Sequence, residues 1–149
     1  MIQGSCLCGT VRFQIEESEI LMMNNCHCSK CRKATGSAFG SFIFLSVKDF
    51  EWLGGRDNIQ GFKSSPNLER AFCKTCGSSV PFETQMDQMG VPGGILDGDP
   101  KTAPEADIFT ANRLPWYEIP ESAIAFPAEE SKELMDVFVQ RSKERYKRG

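Results

Sequence analysis

The chain is organised by one stretch, Asn25-Cys26-His27-Cys28-Ser29-Lys30-Cys31-Arg32-Lys33, which holds three of its seven cysteines. The other four lie in two equally tight groups, Cys6-Leu7-Cys8 and Cys73-Lys74-Thr75-Cys76. An odd number of cysteines leaves one thiol over in any disulfide framework. No cysteine is scattered between the groups, and such short spacings are typical of metal sites. The cysteines therefore predict metal binding.

The grouping favours zinc, which prefers four ligands in a tetrahedron. A structural zinc site usually takes two ligands from each of two distant segments, and Cys6 and Cys8 with Cys73 and Cys76 form such a set. Cys26, Cys28 and Cys31 remain within one short segment. Three protein ligands with an open fourth position are the arrangement of catalytic zinc. We therefore expect two zinc ions, one structural and one catalytic.

Other interpretations of the same cysteines stay open from spacing alone. One is a single structural zinc with three spare cysteines in the core. Another is a redox pair at Cys28/Cys31 or Cys73/Cys76, although that motif belongs at the start of a helix in a βαβ unit. A third is a different pairing of the ligand groups, such as the first and second groups together. His27 lies between two proposed ligands, so in an extended segment its side chain points away from them, although a role as general base or fourth ligand stays open.

The pattern around the cysteines predicts a mainly β fold with a C-terminal α-helix. Strands are expected within Gly9–Ile15, Leu21–Met23, Ser37–Leu45 and Phe50–Leu53, and a hairpin over Gln60–Phe72 that leads into Cys73. Weaker strand signals lie at Val91–Leu96 and Asp107–Ala111. Ser29–Thr35 predicts a short helix that ends at Gly36. From about Glu129 to Lys147 we expect a helix with an apolar stripe of Leu134, Val137 and Phe138.

Length and composition limit the class of protein. The 149 residues fit a single domain, 1–149, and carry a net charge of −3. Such a chain has no general attraction for nucleic acid or an anionic membrane, so neither is expected as a partner. We find no signal-peptide pattern and expect a cytoplasmic location, where thiols stay reduced.

Four ordered blocks resemble the glutathione-dependent formaldehyde-activating enzyme family, which also includes centromere protein V. These blocks are Gly4–Val11, Asn25–Lys33, Thr35–Phe39 and Phe72–Ser78. The resemblance implies a β-tent of antiparallel sheets around the zinc sites. It also implies a structural zinc at Cys6, Cys8, Cys73 and Cys76, and a catalytic zinc at Cys26, Cys28 and Cys31.

The activity implied by the resemblance is that of a carbon–sulfur lyase. The family's named reaction joins glutathione and formaldehyde into S-hydroxymethylglutathione. The expected partners are therefore a small thiol, glutathione or a similar one, and an aldehyde. In this chain Lys30, Arg32 or Lys33 could bind carboxylates of the thiol, and Phe39, Phe42 and Phe44 could either wall the pocket or pack in the core. The alternative is a non-enzymatic module in which zinc shapes a surface for protein or nucleic acid.

Overall fold

The structure, a computed structural model, describes residues 1–128 and 132–148. Within these ranges the chain forms eleven β-strands and two α-helices. The strands are β1 Ile2–Ser5, β2 Arg12–Ile15, β3 Met22–Cys26, β4 Gly40–Ser46, β5 Phe50–Gly54, β6 Ile59–Ser65, β7 Leu68–Cys73, β8 Ser79–Val80, β9 Phe82–Glu83, β10 Gln88–Pro92 and β11 Ala106–Ile108. The helices are α1 Ser29–Thr35 and α2 Lys132–Lys147. The predicted mainly β fold with a C-terminal helix is confirmed.

The strands form three sheets, ordered β1-β2-β5, β11-β3-β4-β10-β9 and β6-β7-β8. Neighbouring strands are antiparallel except for β3 and β11, which run parallel, with Cys26 opposite Ile108. A long connection separates these two strands in sequence, as a parallel pair requires. This pair was not predicted, and it brings the region after residue 105 against the cysteine-bearing end of β3.

The main core lies between the β1-β2-β5 sheet and the five-stranded sheet. Phe13 and Ile15 alternate with outward-facing residues on β2, and both are fully buried. They pack with Ile43 and Leu45 from β4 and with Val91 from β10. The alternation predicted for this segment is therefore confirmed. This core fixes the position of β2, which follows Cys6 and Cys8 in the chain, and of β4, which follows the group that ends at Cys31.

Helix α2 packs on the five-stranded sheet through Phe138, whose ring lies 5.8 Å from that of Phe44. Ser142, one turn later, accepts a hydrogen bond of 2.6 Å from Gln88 Nε2 on β10. Val137 is 42% exposed, so its predicted place in the buried stripe is wrong: it faces solvent. The predicted start at Glu129 and the side chain of Leu134 lie outside the described residues. Neither helix of the described part is long and apolar enough to cross a membrane.

Candidate metal centres

The first cluster consists of Cys6, Cys8, Cys73 and Cys76, whose sulfur atoms all lie within 4.8 Å of one another. Two similar turns deliver them, one after β1 and one after β7. In the first turn the Cys6 amide donates to Val11 O at 3.0 Å, and in the second the Cys73 amide donates to Ser78 O at 2.9 Å. The closing glycines Gly9 and Gly77 have φ of 74° and 75°, which glycine adopts without steric cost.

Polar groups surround the sulfur atoms of the first cluster. The Val11 amide donates to Cys6 Sγ at 3.3 Å, and Asn58 Nδ2 donates to Cys73 Sγ at 3.2 Å. Burial raises the pKa of Cys6 to about 11, whereas hydrogen bonding with Ser78 lowers the pKa of Cys76 to about 5. N–H groups aimed at sulfur stabilise thiolates, which are the form that binds metal. Asn58 was not predicted to take part.

The geometry of this cluster fits a zinc ion. A tetrahedron with Zn–S near 2.3 Å has sulfur–sulfur edges of about 3.8 Å. The Cys6–Cys8 and Cys8–Cys73 sulfur distances are 3.5 Å and 3.8 Å. Cys6 and Cys73 are buried, and all seven cysteines are free of disulfides. The four sulfurs could therefore enclose one metal ion without rearrangement.

The second cluster consists of Cys26, Cys28 and Cys31, again with sulfurs within 4.8 Å of one another. Cys26 ends β3, Cys28 caps α1, and Cys31 lies in the first turn of that helix. The cap is the Cys28 side chain itself, which accepts from the Cys31 amide at 3.4 Å. Helix α1 and its end at Gly36, with φ of 63°, agree with the prediction. A three-residue helical spacing thus turns two of the sulfurs towards the third.

The three sulfurs of the second cluster differ in exposure and in proton affinity. Cys26 and Cys31 are 6% exposed, whereas Cys28 is half-buried. Hydrogen bonding with Cys26 lowers the pKa of Cys28, and Cys28 raises the pKa of Cys26 in return. The cluster therefore supports a thiolate at its most accessible member. A cation at this position would have a donor set of three soft sulfurs and one side near solvent.

Apolar side chains from several elements wall the second cluster. Phe42 from β4 and Phe82 from β9 are buried against it. Phe44 and Phe109 pack at its margin, and Phe109 has a φ of 57°, an uncommon conformation for a bulky residue. Phe39 packs instead on the His27 ring, with the ring centres 5.2 Å apart. Of the three phenylalanines proposed as walls, two lie against the cluster.

Arg70 from β7 is a cation that touches the second cluster. Its Nη2 atom donates to Cys31 Sγ at 3.4 Å, and its buried Nε atom has no acceptor among the described residues. Lys30 and Lys33 are exposed, and Arg32 Nε donates to the carbonyl of His27 at 3.1 Å. Arg70 was not among the residues predicted for this site. Its position three residues before Cys73, in an alternating strand, was the available signal.

His27 is fully buried and hydrogen-bonded to Asp107, with Nε2 and Oδ1 2.6 Å apart. Its ring packs against Phe39 and Tyr117. Its Nδ1 atom has no hydrogen-bond partner in the described part of the chain. The side chain points away from the cysteine sulfurs, as expected between two ligands of an extended segment. Asp107, which was not predicted here, holds the Cys26–Cys28 segment through this hydrogen bond.

Three comparisons identify what this chain is similar to. The family model for the glutathione-dependent formaldehyde-activating enzyme matches residues 1–112. A Halomonas elongata protein named "Putative glutathione-dependent formaldehyde-activating enzyme" is 28% identical over 128 residues, which cover 80% of this chain and 81% of that protein. An uncharacterized lyase of Schizosaccharomyces pombe is 33% identical over 82 residues, covering 54% of this chain and 56% of the lyase.

A solved structure shares the fold. The crystal structure of a Rhodobacter sphaeroides protein aligns with a TM-score of 0.56 at 20% identity, covering 83% of this chain and 98% of the other. The family match extends from β1 past β11 and includes both cysteine clusters. Together with the lyase name of the yeast relative, it supports an enzyme of lyase type. The chain belongs to the glutathione-dependent formaldehyde-activating enzyme family.

Proposed function

We propose that this protein is a zinc-dependent carbon–sulfur lyase that forms or cleaves an adduct between a small thiol, such as glutathione, and an aldehyde, such as formaldehyde. The observation that carries the proposal is the contrast between the clusters: four sulfurs surround one centre, whereas three sulfurs border the other. A closed set of four leaves no position for substrate. The second cluster is therefore the proposed active centre.

We assign zinc to both clusters, one ion in each. Thiolates are soft ligands that suit zinc, and sets of cysteines at such short spacings are typical of zinc sites. Cys6, Cys8, Cys73 and Cys76 would hold the structural ion, and Cys26, Cys28 and Cys31 the catalytic one. Because thiolates must stay reduced to bind metal, the proposal places the protein in the cytoplasm.

The chemistry joins a thiol to a carbonyl carbon. Cys26, Cys28 and Cys31 would hold the zinc ion, which would bind the substrate thiol as a thiolate and supply a positive charge near the reacting atoms. In the forward direction a C–S bond forms, the carbonyl π bond breaks, and the thiol hydrogen ends on the oxygen. In reverse, the C–S bond breaks, the carbonyl π bond forms again, and the hydroxyl hydrogen ends on sulfur, so that the aldehyde and the thiol separate.

The residues around the second cluster suit this reaction. Phe42 and Phe82 exclude water from the buried side, which strengthens electrostatic interactions there. The half-buried position of Cys28 leaves a path for the substrate sulfur from solvent. Arg70 offsets the negative charge that three thiolates bring to a divalent ion. The His27–Asp107 pair holds the backbone between Cys26 and Cys28.

The test compares single cysteine variants from the two clusters. Zinc content is measured by atomic emission, and adduct formation by carbon NMR with labelled formaldehyde and glutathione. We expect Cys28→Ser to abolish turnover while at least one zinc ion and the native fold remain. Cys8→Ser, the matched variant at the exposed member of the first cluster, should lower thermal stability and leave the turnover of the folded fraction.

Two results would overturn the proposal. A Cys28→Ser protein that keeps two zinc ions and full turnover would remove the second cluster from the chemistry. A wild-type protein with two zinc ions and no thiol–aldehyde activity would favour a zinc-stabilised binding module instead.

A further inference from the structure

Arg70 presents an unsatisfied donor beside the second cluster. In a guanidinium group the Nε and Nη2 hydrogens lie along one edge of the plane, and this edge is the one that forms paired hydrogen bonds with anions. Here Nη2 on that edge donates to Cys31 Sγ at 3.4 Å. Its neighbour Nε is buried and has no acceptor among the described residues. A buried donor left unpaired is unfavourable, so an explanation is needed.

The position of Arg70 is fixed by its strand. Arg70 pairs with Phe62 across the β6–β7 hairpin, and Cys73 at the end of β7 belongs to the first cluster. Leu68, two residues earlier on the same face of the strand, also packs against the second cluster. The guanidinium is thus held beside Cys31 by a sheet and a ligand turn, instead of a flexible loop. Such placement is what an electrostatic contact with substrate needs.

We propose that the Nε–H of Arg70 binds the oxygen of the carbonyl substrate, which is the hydroxyl oxygen of the adduct. The inference rests on the proposed function and adds a specificity: the site prefers adducts, and analogues of them, that carry an oxygen on the carbon next to sulfur. In the proposed complex the substrate sulfur joins the three cysteine sulfurs beside Cys31, and the oxygen one carbon away accepts a hydrogen bond from the Nε–H that has no partner among the described residues.

The role in the reaction follows from where charge develops. As the thiol sulfur bonds to the carbonyl carbon, the electron pair of the C=O π bond moves onto oxygen. The oxygen then takes the hydrogen that the thiol has lost, so that no oxidant or reductant is needed. The Nε–H donates to the oxygen while it is negatively charged, and the Nη2–H remains on Cys31 Sγ. Removal of a comparable oxyanion donor lowers turnover by about 10²- to 10³-fold.

The test measures binding separately from turnover. Thioacetate carries sulfur and oxygen on one carbon, as the adduct does, whereas ethanethiol lacks the oxygen. Calorimetry on the zinc-loaded protein gives both dissociation constants for wild type, Arg70→Gln and Arg70→Lys. Lys63→Gln, which removes an exposed cation from the same hairpin, is the matched control. Zinc content and thermal unfolding establish that each variant is folded and loaded.

We expect Arg70→Gln to weaken thioacetate binding by about 10- to 100-fold, the range for a hydrogen bond to a charged group. Ethanethiol binding should change less than about threefold. Arg70→Lys should keep the zinc but not the preference for thioacetate, because an ammonium group does not reproduce the two-donor edge. Lys63→Gln should behave as wild type.

The outcomes separate this inference from the proposed function. Equal losses for the two thiols, or full rescue by Arg70→Lys, would show that Arg70 only balances charge, and the inference would be wrong while the proposed function stands. Unchanged binding of both thiols by Arg70→Gln would also refute it. If the wild-type protein binds neither thiol, the proposed function fails first, and the inference fails with it.

Discussion

The buried pair His27–Asp107 gives a prediction that can be worked through from the structure. Asp107→Ala removes the carboxylate that accepts from His27 Nε2 at 2.6 Å. The imidazole is fully buried, so its Nε2 group loses its partner in the interior of the protein. A hydrogen bond to a charged group contributes about 1.5–3 kcal/mol, and an unpaired buried donor adds to the loss. We expect the free energy of unfolding to fall by about 2–4 kcal/mol.

The assay has two readouts on the zinc-loaded protein. The first is urea unfolding, in which Asp107→Asn serves as the control because its amide oxygen still accepts the hydrogen bond; we expect it to lose less than about 1 kcal/mol. The second is zinc release to a coloured chelator. His27 sits between Cys26 and Cys28, so Asp107→Ala should weaken zinc binding at the second cluster by about 10- to 100-fold and leave the first unchanged.

Two results would refute this reasoning. A free energy of unfolding for Asp107→Ala within about 0.5 kcal/mol of the wild-type value would mean that the pair does not contribute to stability. Equal acceleration of release for both zinc ions would mean that the pair acts on the whole fold and does not position the second cluster.

Three further predictions concern the scaffold. Phe138→Ala should lower the free energy of unfolding by about 3 kcal/mol, because the ring is 6% exposed, whereas Val137→Ala at an exposed neighbour should change it by less than about 0.5 kcal/mol; urea titration measures both. Gly55→Ala should lower the free energy of unfolding by more than about 1 kcal/mol, since φ is 73° and a Cβ would lie 2.1 Å from the Thr10 carbonyl oxygen. The control is Gly94→Ala, which has open space around the new Cβ and should melt at the wild-type temperature in calorimetry. Cys73→Ser should lose one zinc equivalent in native mass spectrometry, and retention of two would contradict a closed set of four ligands.

Local signals in the sequence were sufficient for the cysteine clusters and for α1. The spacing of Cys26, Cys28 and Cys31 requires only a strand end and one helical turn, both of which are local structures. Gly36 ends the helix because glycine accepts the left-handed conformation. The assignment of Cys8 and Cys73 to one metal site depended on zinc chemistry, because a structural zinc ion requires four ligands wherever they lie in the sequence.

Contacts between residues far apart in the sequence could not be predicted from local sequence patterns. Strand β1 was missed because Gly4 is a poor strand former, yet the glycine is needed there: a Cβ would lie 2.3 Å from the Phe13 ring. Arg70 and Asp107 reach the second cluster only through the β6–β7 hairpin and the parallel β3–β11 pair. One clue was present, since Asp107 begins the weak strand signal Asp107–Ala111, and a carboxylate buried by a strand needs a partner.

Strand β7 has a consequence for how the protein matures. It is six residues long, and it gives Cys73 to the first cluster and Arg70 to the second. At about 3.4 Å per residue the two positions are roughly 10 Å apart, so neither moves without the other. We expect the metal ion that a newly made chain binds at its first cluster to fasten this strand, so that Arg70 reaches its place beside Cys31 only after that ion is bound.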